Sequence, residues 1–166
     1  MSLEPGTLYF AYGCNMDRDH LAAVVGRSVA AGYAARLQDH RIAFDVPHED
    51  GSRFADILPA PGGAVYGVVF RLAGDALRTL DGYEGVPELY RRAALWVEPI
   101  GRRARQAVQV YVGRQDHRVK EGAPDAEYLG RLVRGALRHG LPEDYVNWVR
   151  VRAAGRGDPL YRAAEP

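Results

Sequence analysis

Apolar positions along this chain fall into short runs, separated by breakers, that predict an alternation of strands and helices. Thr7 to Tyr12 is apolar and aromatic throughout, as a buried strand should be, and Gly13 breaks it. Asn15 and Asp17 follow as candidate caps, and Leu21, Val24 and Val25 then recur at helical spacing. Gly32–Leu37 and Arg41–Val46 predict two more short strands, joined at Gln38-Asp39-His40. A proline- and glycine-rich stretch, Pro47–Gly63, separates them from the strongly β-prone Ala64–Phe70. A short helix over Asp75–Leu80 stops near Gly82. Tyr90–Glu98 and Gln106–Val112 alternate apolar and polar residues over their later halves, with Gly101-Arg102-Arg103 between them as a hairpin turn. Asp125 suits the N-cap of a helix with Leu129, Leu132, Val133, Ala136 and Leu137 on one face, Gly140 closes it, and Pro142 opens a second short helix through Val149.

Six strands with helices grouped early, midway and late do not make the regular βαβα alternation of a doubly wound sheet. The pattern predicts an α+β fold: a small, closed or nearly closed mixed sheet of about six strands, barrel-like, with helices packed outside. No internal repeat interrupts it, so residues 1–152 read as one domain and 153–166 as a C-terminal tail. A chain of 166 residues is long enough to bury roughly 70 % of its unfolded surface around a single core.

Charge narrows the partners. The 22 basic and 21 acidic residues leave a net charge of +1, and every basic residue but Lys120 is a scattered arginine, so there is no basic stripe of the kind that nucleic acid or an anionic membrane requires. A small substrate or a protein partner is expected instead, with a homodimer left open. The N-terminus carries Glu4 where a signal peptide would be basic, and no apolar run approaches the ~20 residues needed to cross a bilayer, so a soluble cytoplasmic protein is expected. Cys14 is the only cysteine, no histidine pair has metal-ligand spacing, and neither Gly62-Gly63 nor Gly155-Arg156-Gly157 continues into a phosphate-binding or dinucleotide motif. Neither metal nor cofactor is expected.

Two segments carry candidate chemistry. In Tyr12-Gly13-Cys14-Asn15 a glycine between strand and helix lets the backbone turn sharply and aims N–H groups outward, which suits a carboxylate or a developing oxyanion; the plain alternative is a turn and nothing more. Cys14 there is either a nucleophile of lowered pKa or a small apolar-compatible turn residue, and no histidine stands in a recognisable base motif beside it. In Leu80-Asp81-Gly82-Tyr83-Glu84-Gly85-Val86 an acid follows a helix end close to an apolar and aromatic run, where burial would raise its pKa toward that of a group able to take a proton and return it; otherwise it is an exposed loop residue. Tyr90, Tyr111 and Tyr128, on two strands and a late helix, are placed to converge on a pocket, although each alone suits a core position.

Taken together and in order, the two segments resemble the γ-glutamylcyclotransferase family, which includes the AIG2-like proteins. The family's opening Tyr-Gly-Ser-Asn is similar to Tyr12-Gly13-Cys14-Asn15, and its Glu-Gly segment after a Leu-Asp helix end to Leu80–Val86. Ala35–Asp39, Val65–Phe70 and Gly140–Tyr145 add to the likeness, which runs from Thr7 to Val149; Cys14 departs from it, standing where the family has serine. The resemblance implies a mixed-sheet barrel with helices, release of 5-oxoproline from a small γ-glutamyl amide, Glu84 as general acid/base, and Tyr12, Gly13, Cys14 and Asn15 as the substrate loop, with Tyr90, Tyr111 and Tyr128 lining the pocket. It also implies that no enzyme nucleophile is needed, because the substrate's own α-amino group attacks. A non-catalytic module that binds γ-glutamyl or similar anionic metabolites and a thiol amidase using Cys14 are the alternatives.

Overall fold

In the computed structural model, which describes residues 6–163, five strands close a barrel in the order β1–β3–β2–β4–β5. They are β1 (Thr7–Ala11), β2 (Tyr33–Pro47), β3 (Arg53–Leu72), β4 (Tyr90–Pro99) and β5 (Gln106–Gly113). Every pairing is antiparallel except that of β1 with β5, where Tyr9 meets Gln109, so the sheet is mixed. Four helices pack outside: α1 (Arg18–Val25), α2 (Gly74–Tyr83), α3 (Ala126–Arg138) and α4 (Glu143–Ala153). Among the described residues no helix is long and apolar enough to cross a membrane. Residues 1–5, which bear on a targeting signal, and 164–166, the end of the expected tail, lie outside the described residues.

The expected α+β barrel is present, with five strands in place of about six. Gly32–Leu37 and Arg41–Val46 are halves of one strand, β2, and the proline- and glycine-rich stretch belongs largely to β3. The two strands pair from Tyr33↔Val69 to Pro47↔Arg53, with a register shift where Gln38 faces Ala64 and His40 faces Pro59. Asp39 bridges the shift at φ 59°, and its carboxylate accepts the Gly62 N–H at 2.9 Å. Pro59, Pro61, Gly62 and Gly63 thus fall beside a bulge, where the ladder does not demand an N–H from every residue.

Phe10, Phe70, Val65, Val68, Ile42 and Ile57 are almost fully buried and fill the core. Burial of such side chains contributes roughly 1.5–3 kcal/mol each. Beyond α4, Tyr161 is buried against Tyr66 and Tyr145; its hydroxyl donates to Asp144 at 2.7 Å and its carbonyl accepts the Ala64 N–H at 2.9 Å.

Two contacts position the future site. Asp17 caps α1, accepting the Asp19 and His20 N–H groups at 3.2 and 3.4 Å, and takes the Arg134 guanidinium of α3 at 2.9 and 3.0 Å. Burial opposes the ionised form, yet the Arg134 hydrogen bonds and the two N–H groups prevail and hold the carboxyl below its usual range. Gly135 then lets α3 lie directly on the single 3-10 turn Cys14–Met16: a Cβ there would stand 2.2 Å from the Met16 carbonyl carbon and 2.3 Å from the Asp17 nitrogen. Gly135→Ala should therefore destabilise the protein by about 2 kcal/mol or more in urea titration, despite the ~1 kcal/mol that alanine gains in a helix. A net gain in stability would show that the contact tolerates a methyl group.

Candidate functional site

The sheet delivers β1 into the centre of the barrel wall, and Tyr12-Gly13 carries the chain from its end into the Cys14–Met16 turn. Within that turn Met16 N–H donates to Gly13 O and Asp17 N–H to Cys14 O, both at 3.1 Å. Gly13 is needed for close approach: a Cβ would stand 2.5 Å from the Tyr128 hydroxyl, which also faces the Cys14 N–H. Tyr128 lies in the first turn of α3, where Asp125 caps the helix by accepting the Tyr128 N–H at 2.7 Å.

Glu84 reaches the same place from α2. The helix ends in a Schellman motif: Gly85 adopts φ 65°, its N–H donates to Gly82 O at 3.2 Å, and Val86 N–H donates to Asp81 O at 3.0 Å. The Glu-Gly pair is thereby explained locally, since Gly85 supplies the left-handed residue and Glu84, the C-cap, is held rigidly in front of it. Asn15 Nδ2 donates to Glu84 Oε1 at 2.7 Å and to the Tyr9 hydroxyl at 3.1 Å. Burial pushes the Glu84 carboxyl up to about 7, against the smaller downward pull of Asn15. A carboxyl group balanced near neutrality on the wall of a pocket is suited to proton transfer in either direction.

Around these groups lies a cavity of about 510 Å³, and Tyr12, Gly13, Cys14, Asn15, Glu84, Tyr90, Tyr111 and Tyr128 all line it. The tyrosines differ in what they have to offer. Tyr12 donates to the Tyr111 carbonyl at 2.6 Å, Tyr90 to the Ala55 carbonyl at 2.6 Å and Tyr111 to Asp81 at 2.7 Å, so three hydroxyl protons are engaged in holding the wall. Tyr128, in contrast, accepts the Ala55 N–H at 3.0 Å and Tyr9 accepts from Asn15, bonds that leave each O–H proton for a ligand. Burial raises the pKa of all five above the ordinary tyrosine value and keeps them protonated donors.

Cys14 is not placed as a nucleophile. Burial, with the charge of Glu84 in support, pushes its thiol far above the usual range. The nearest imidazole nitrogen, His20 Nε2, is 3.7 Å from the sulfur and 3.3 Å from the Tyr83 hydroxyl. Burial and then Arg131 draw the His20 pKa down, which favours the neutral ring, so a thiolate–imidazolium pair has no support here. No group of three or more His, Cys, Asp or Glu side chains among the described residues is arranged to hold a metal ion.

Sequence reasoning missed Tyr9 as a site residue, and it missed Asp81, Tyr83 and Arg131. Asp81 anchors Tyr111 and pairs with Arg92 at 2.9 Å; its place one turn before Glu84 was the only available signal. Arg131 is three residues beyond Tyr128 on α3, a spacing that puts both on one helix face, but among 21 arginines that spacing is inconspicuous.

A family model described as the AIG2-like family matches residues 64–149, which includes Glu84, Tyr90, Tyr111 and Tyr128 and leaves out the Tyr12–Asn15 loop. The chain is 37% identical over 145 residues to YkqA of Bacillus subtilis (strain 168), covering 81% of this chain and 48% of that protein; it thus spans about half the length of that relative. It is 30% identical over 148 residues to the γ-glutamylcyclotransferase of Mus musculus, covering 83% of this chain and 74% of the mouse protein. A solved structure titled γ-glutamyl cyclotransferase superposes with a TM-score of 0.79 at 23% identity, covering 96% of this chain and 90% of that one, which places the two in one fold.

Since the Asn15 hydrogen bond is what offsets part of the burial effect, Asn15→Ala should move the Glu84 titration midpoint upward from about 7. Carboxyl-carbon NMR titration reads this directly, and an unchanged or lowered midpoint would refute the role given to Asn15.

Proposed function

The chain belongs to the AIG2-like family, and we propose that it is a γ-glutamyl cyclotransferase that converts a small γ-glutamyl amide into 5-oxoproline and a free amine or amino acid. One observation carries the reading: the Glu84 carboxyl lines the cavity, accepts from Asn15 at 2.7 Å, and is pushed by burial up to about 7. The relatives' activity and the fold agree with it.

In the proposed reaction the substrate's α-amino nitrogen attacks its own γ-carbonyl carbon. The new C–N bond closes a five-membered ring, and the bond to the leaving nitrogen breaks. An α-amino group is largely protonated at neutral pH, so a base must remove a proton, and the departing nitrogen must receive one. Glu84 in its carboxylate form takes one proton from the ammonium and, now neutral, delivers it to the leaving nitrogen; regenerated as carboxylate, it takes the second proton from the ring nitrogen as the lactam forms and passes it to the departing amine. Burial serves both halves, because a carboxyl with an ordinary pKa of 4.5 would be a poor base toward an amine and a poor source of a proton at pH 7.

The chain's other groups bind and orient. Backbone N–H groups of the Gly13–Asn15 loop, together with the Tyr128 and Tyr9 hydroxyls, would hold the α-carboxylate or the oxyanion of the tetrahedral intermediate. The aromatic walls would fold the glutamyl chain so that amine and carbonyl meet; such proximity is worth up to ~7–11 kcal/mol when the geometry is ideal. A binding module would need at most an ordinary ionised carboxylate as counter-ion to the α-ammonium, so a carboxyl raised toward neutrality by burial argues against the non-catalytic alternative. The high thiol pKa and the lowered pKa of His20 argue against a Cys14 amidase.

Three measurements test the proposal. Release of 5-oxoproline from γ-glutamyl dipeptides and amides should fall at least 100-fold in Glu84→Gln, with the fold intact by circular dichroism, and retained turnover would remove Glu84 from its role. In the wild type kcat/KM should drop about tenfold per pH unit below roughly pH 7, as the base is protonated. Cys14→Ser should remain active, whereas a thiol amidase would lose activity.

The same raised pKa has a stability consequence. Between its ordinary value of 4.5 and about 7 the folded state binds a proton that the unfolded state releases, so folding stability falls as pH rises through that window. Glu84→Gln should therefore raise Tm more at pH 8 than at pH 4.5; equal shifts would contradict it.

A further inference from the structure

Cys14 is buried on the cavity wall and takes no part in the proposed reaction, but its surroundings give it another task. Its sulfur stands 3.8 Å from Asn15 Oδ1 and 3.7 Å from His20 Nε2, and the thiol has one proton to give. His20 Nε2 also meets the Tyr83 hydroxyl, at the shorter distance of 3.3 Å. Where that nitrogen is bare, its single lone pair goes to the nearer and stronger O–H donor; where it carries a hydrogen, it has no lone pair to offer. In both tautomers the S–H is left for Asn15 Oδ1. Among the described residues it is the one donor that Oδ1 has.

The orientation of the Asn15 amide matters to Glu84. As it stands, Nδ2 donates to Glu84 Oε1 at 2.7 Å and to the Tyr9 hydroxyl at 3.1 Å. Turned over, the amide would present Oδ1 to Glu84, an arrangement that only the protonated carboxyl and the Tyr9 O–H can satisfy. The turned form thus favours the acid and retains the proton that the proposed shuttle must return. Asn15 is 4% exposed, so water is a poor substitute for a missing donor to Oδ1. Without one, the cost of an unpaired buried oxygen falls on the very orientation that the Glu84 carboxylate needs. Besides Cys14, Tyr9 and Glu84, no side chain among the described residues hydrogen-bonds to this amide. Tyr90, Tyr111 and Tyr128, from β4, β5 and α3, offer neutral hydroxyls around Glu84. The other charged side chains on the cavity wall, Glu49, Asp125, Glu127 and Arg131, make no bond to Asn15.

Resting on the cyclotransferase reading, we propose that Cys14 is a positioning residue, whose S–H holds the Asn15 amide with Nδ2 toward Glu84 in both protonation states of the carboxyl. The task requires a donor at this position and not a thiolate, so a thiol that burial keeps protonated suits it. A hydroxyl suits it as well, and the serine that the resemblance expects in place of Cys14 would supply one.

Carboxyl-carbon NMR titration of Glu84 in Cys14→Ala and Cys14→Ser, each alone and combined with Asn15→Ala, tests the proposal. Cys14→Ala should move the midpoint upward from about 7 by roughly half a unit, about threefold in proton affinity, and the acid limb of kcat/KM should move with it. Cys14→Val, which keeps the bulk but no donor, should shift it equally and serves if the alanine variant fails to fold. Cys14→Ser should recover at least half of the shift. In the Asn15→Ala background Cys14→Ala should have no further effect, because the amide through which it acts is gone. An unchanged or lowered midpoint in Cys14→Ala, no recovery in Cys14→Ser, or an undiminished shift in the Asn15→Ala background overturns the proposal and leaves the cyclotransferase reading standing. If folded wild-type protein releases no 5-oxoproline from γ-glutamyl dipeptides and amides, that reading fails, and the titrations still decide how Cys14 acts on Glu84.

Discussion

β1 is hydrogen-bonded along both edges, to β3 from Thr7 to Ala11 and to β5 at Tyr9, so the barrel closes only when this five-residue strand is in register. The strand ends at the loop that carries Asn15, and its register fixes where that loop stands. Closure and site assembly are therefore one event. Asn15 is buried and its amide spans to Glu84, 69 residues later, which joins the end of β1 to the end of α2. A register slip of one residue would reverse the faces of Tyr9 and Phe10 and take the loop out of reach.

The site is organised around a carboxyl group kept where water cannot easily solvate it. Two rigid devices sustain that placement against its electrostatic cost. The Schellman ending of α2 fixes the Glu84 backbone, and the Asn15 amide supplies one hydrogen bond to its oxygen. The surrounding tyrosines supply neutral hydroxyls whose own pKa values are raised by burial, so they polarise the pocket without adding charge to it.

A second buried carboxylate supports the wall. Asp56, fully buried on β3, accepts the Gly113 N–H at 2.7 Å and the Arg118 guanidinium at 2.7 Å, tying the end of β5 to β3. The adjacent Ala55 receives both Tyr90 and Tyr128 through its carbonyl and N–H. The Tyr90 and Tyr128 hydroxyls on the cavity wall are thus set by backbone atoms of Ala55, next to a carboxylate that Arg118 holds in place. Asp45, 3.9 Å from the same Arg118, is pushed above the usual carboxylate range by burial and then by the charge of Asp56.

The helices, their caps and most strand positions were legible in the sequence, because they follow from local rules: Asp17 and Asp125 cap α1 and α3, and the apolar periodicity lies where those helices pack. The two chemical segments were legible as well, since a glycine turn after a buried strand and an acid before a left-handed glycine are local patterns. What the sequence did not determine was continuity across a bulge, where β2 and β3 run through residues that read as breakers, because register depends on the partner strand and not on propensity. Nor did it separate tyrosines whose hydroxyl proton is engaged in bracing the wall from those whose hydroxyl only accepts, or single out Arg131. Those distinctions depend on which backbone atom each side chain meets across 30 to 100 residues of chain, and only the closed barrel brings those atoms together.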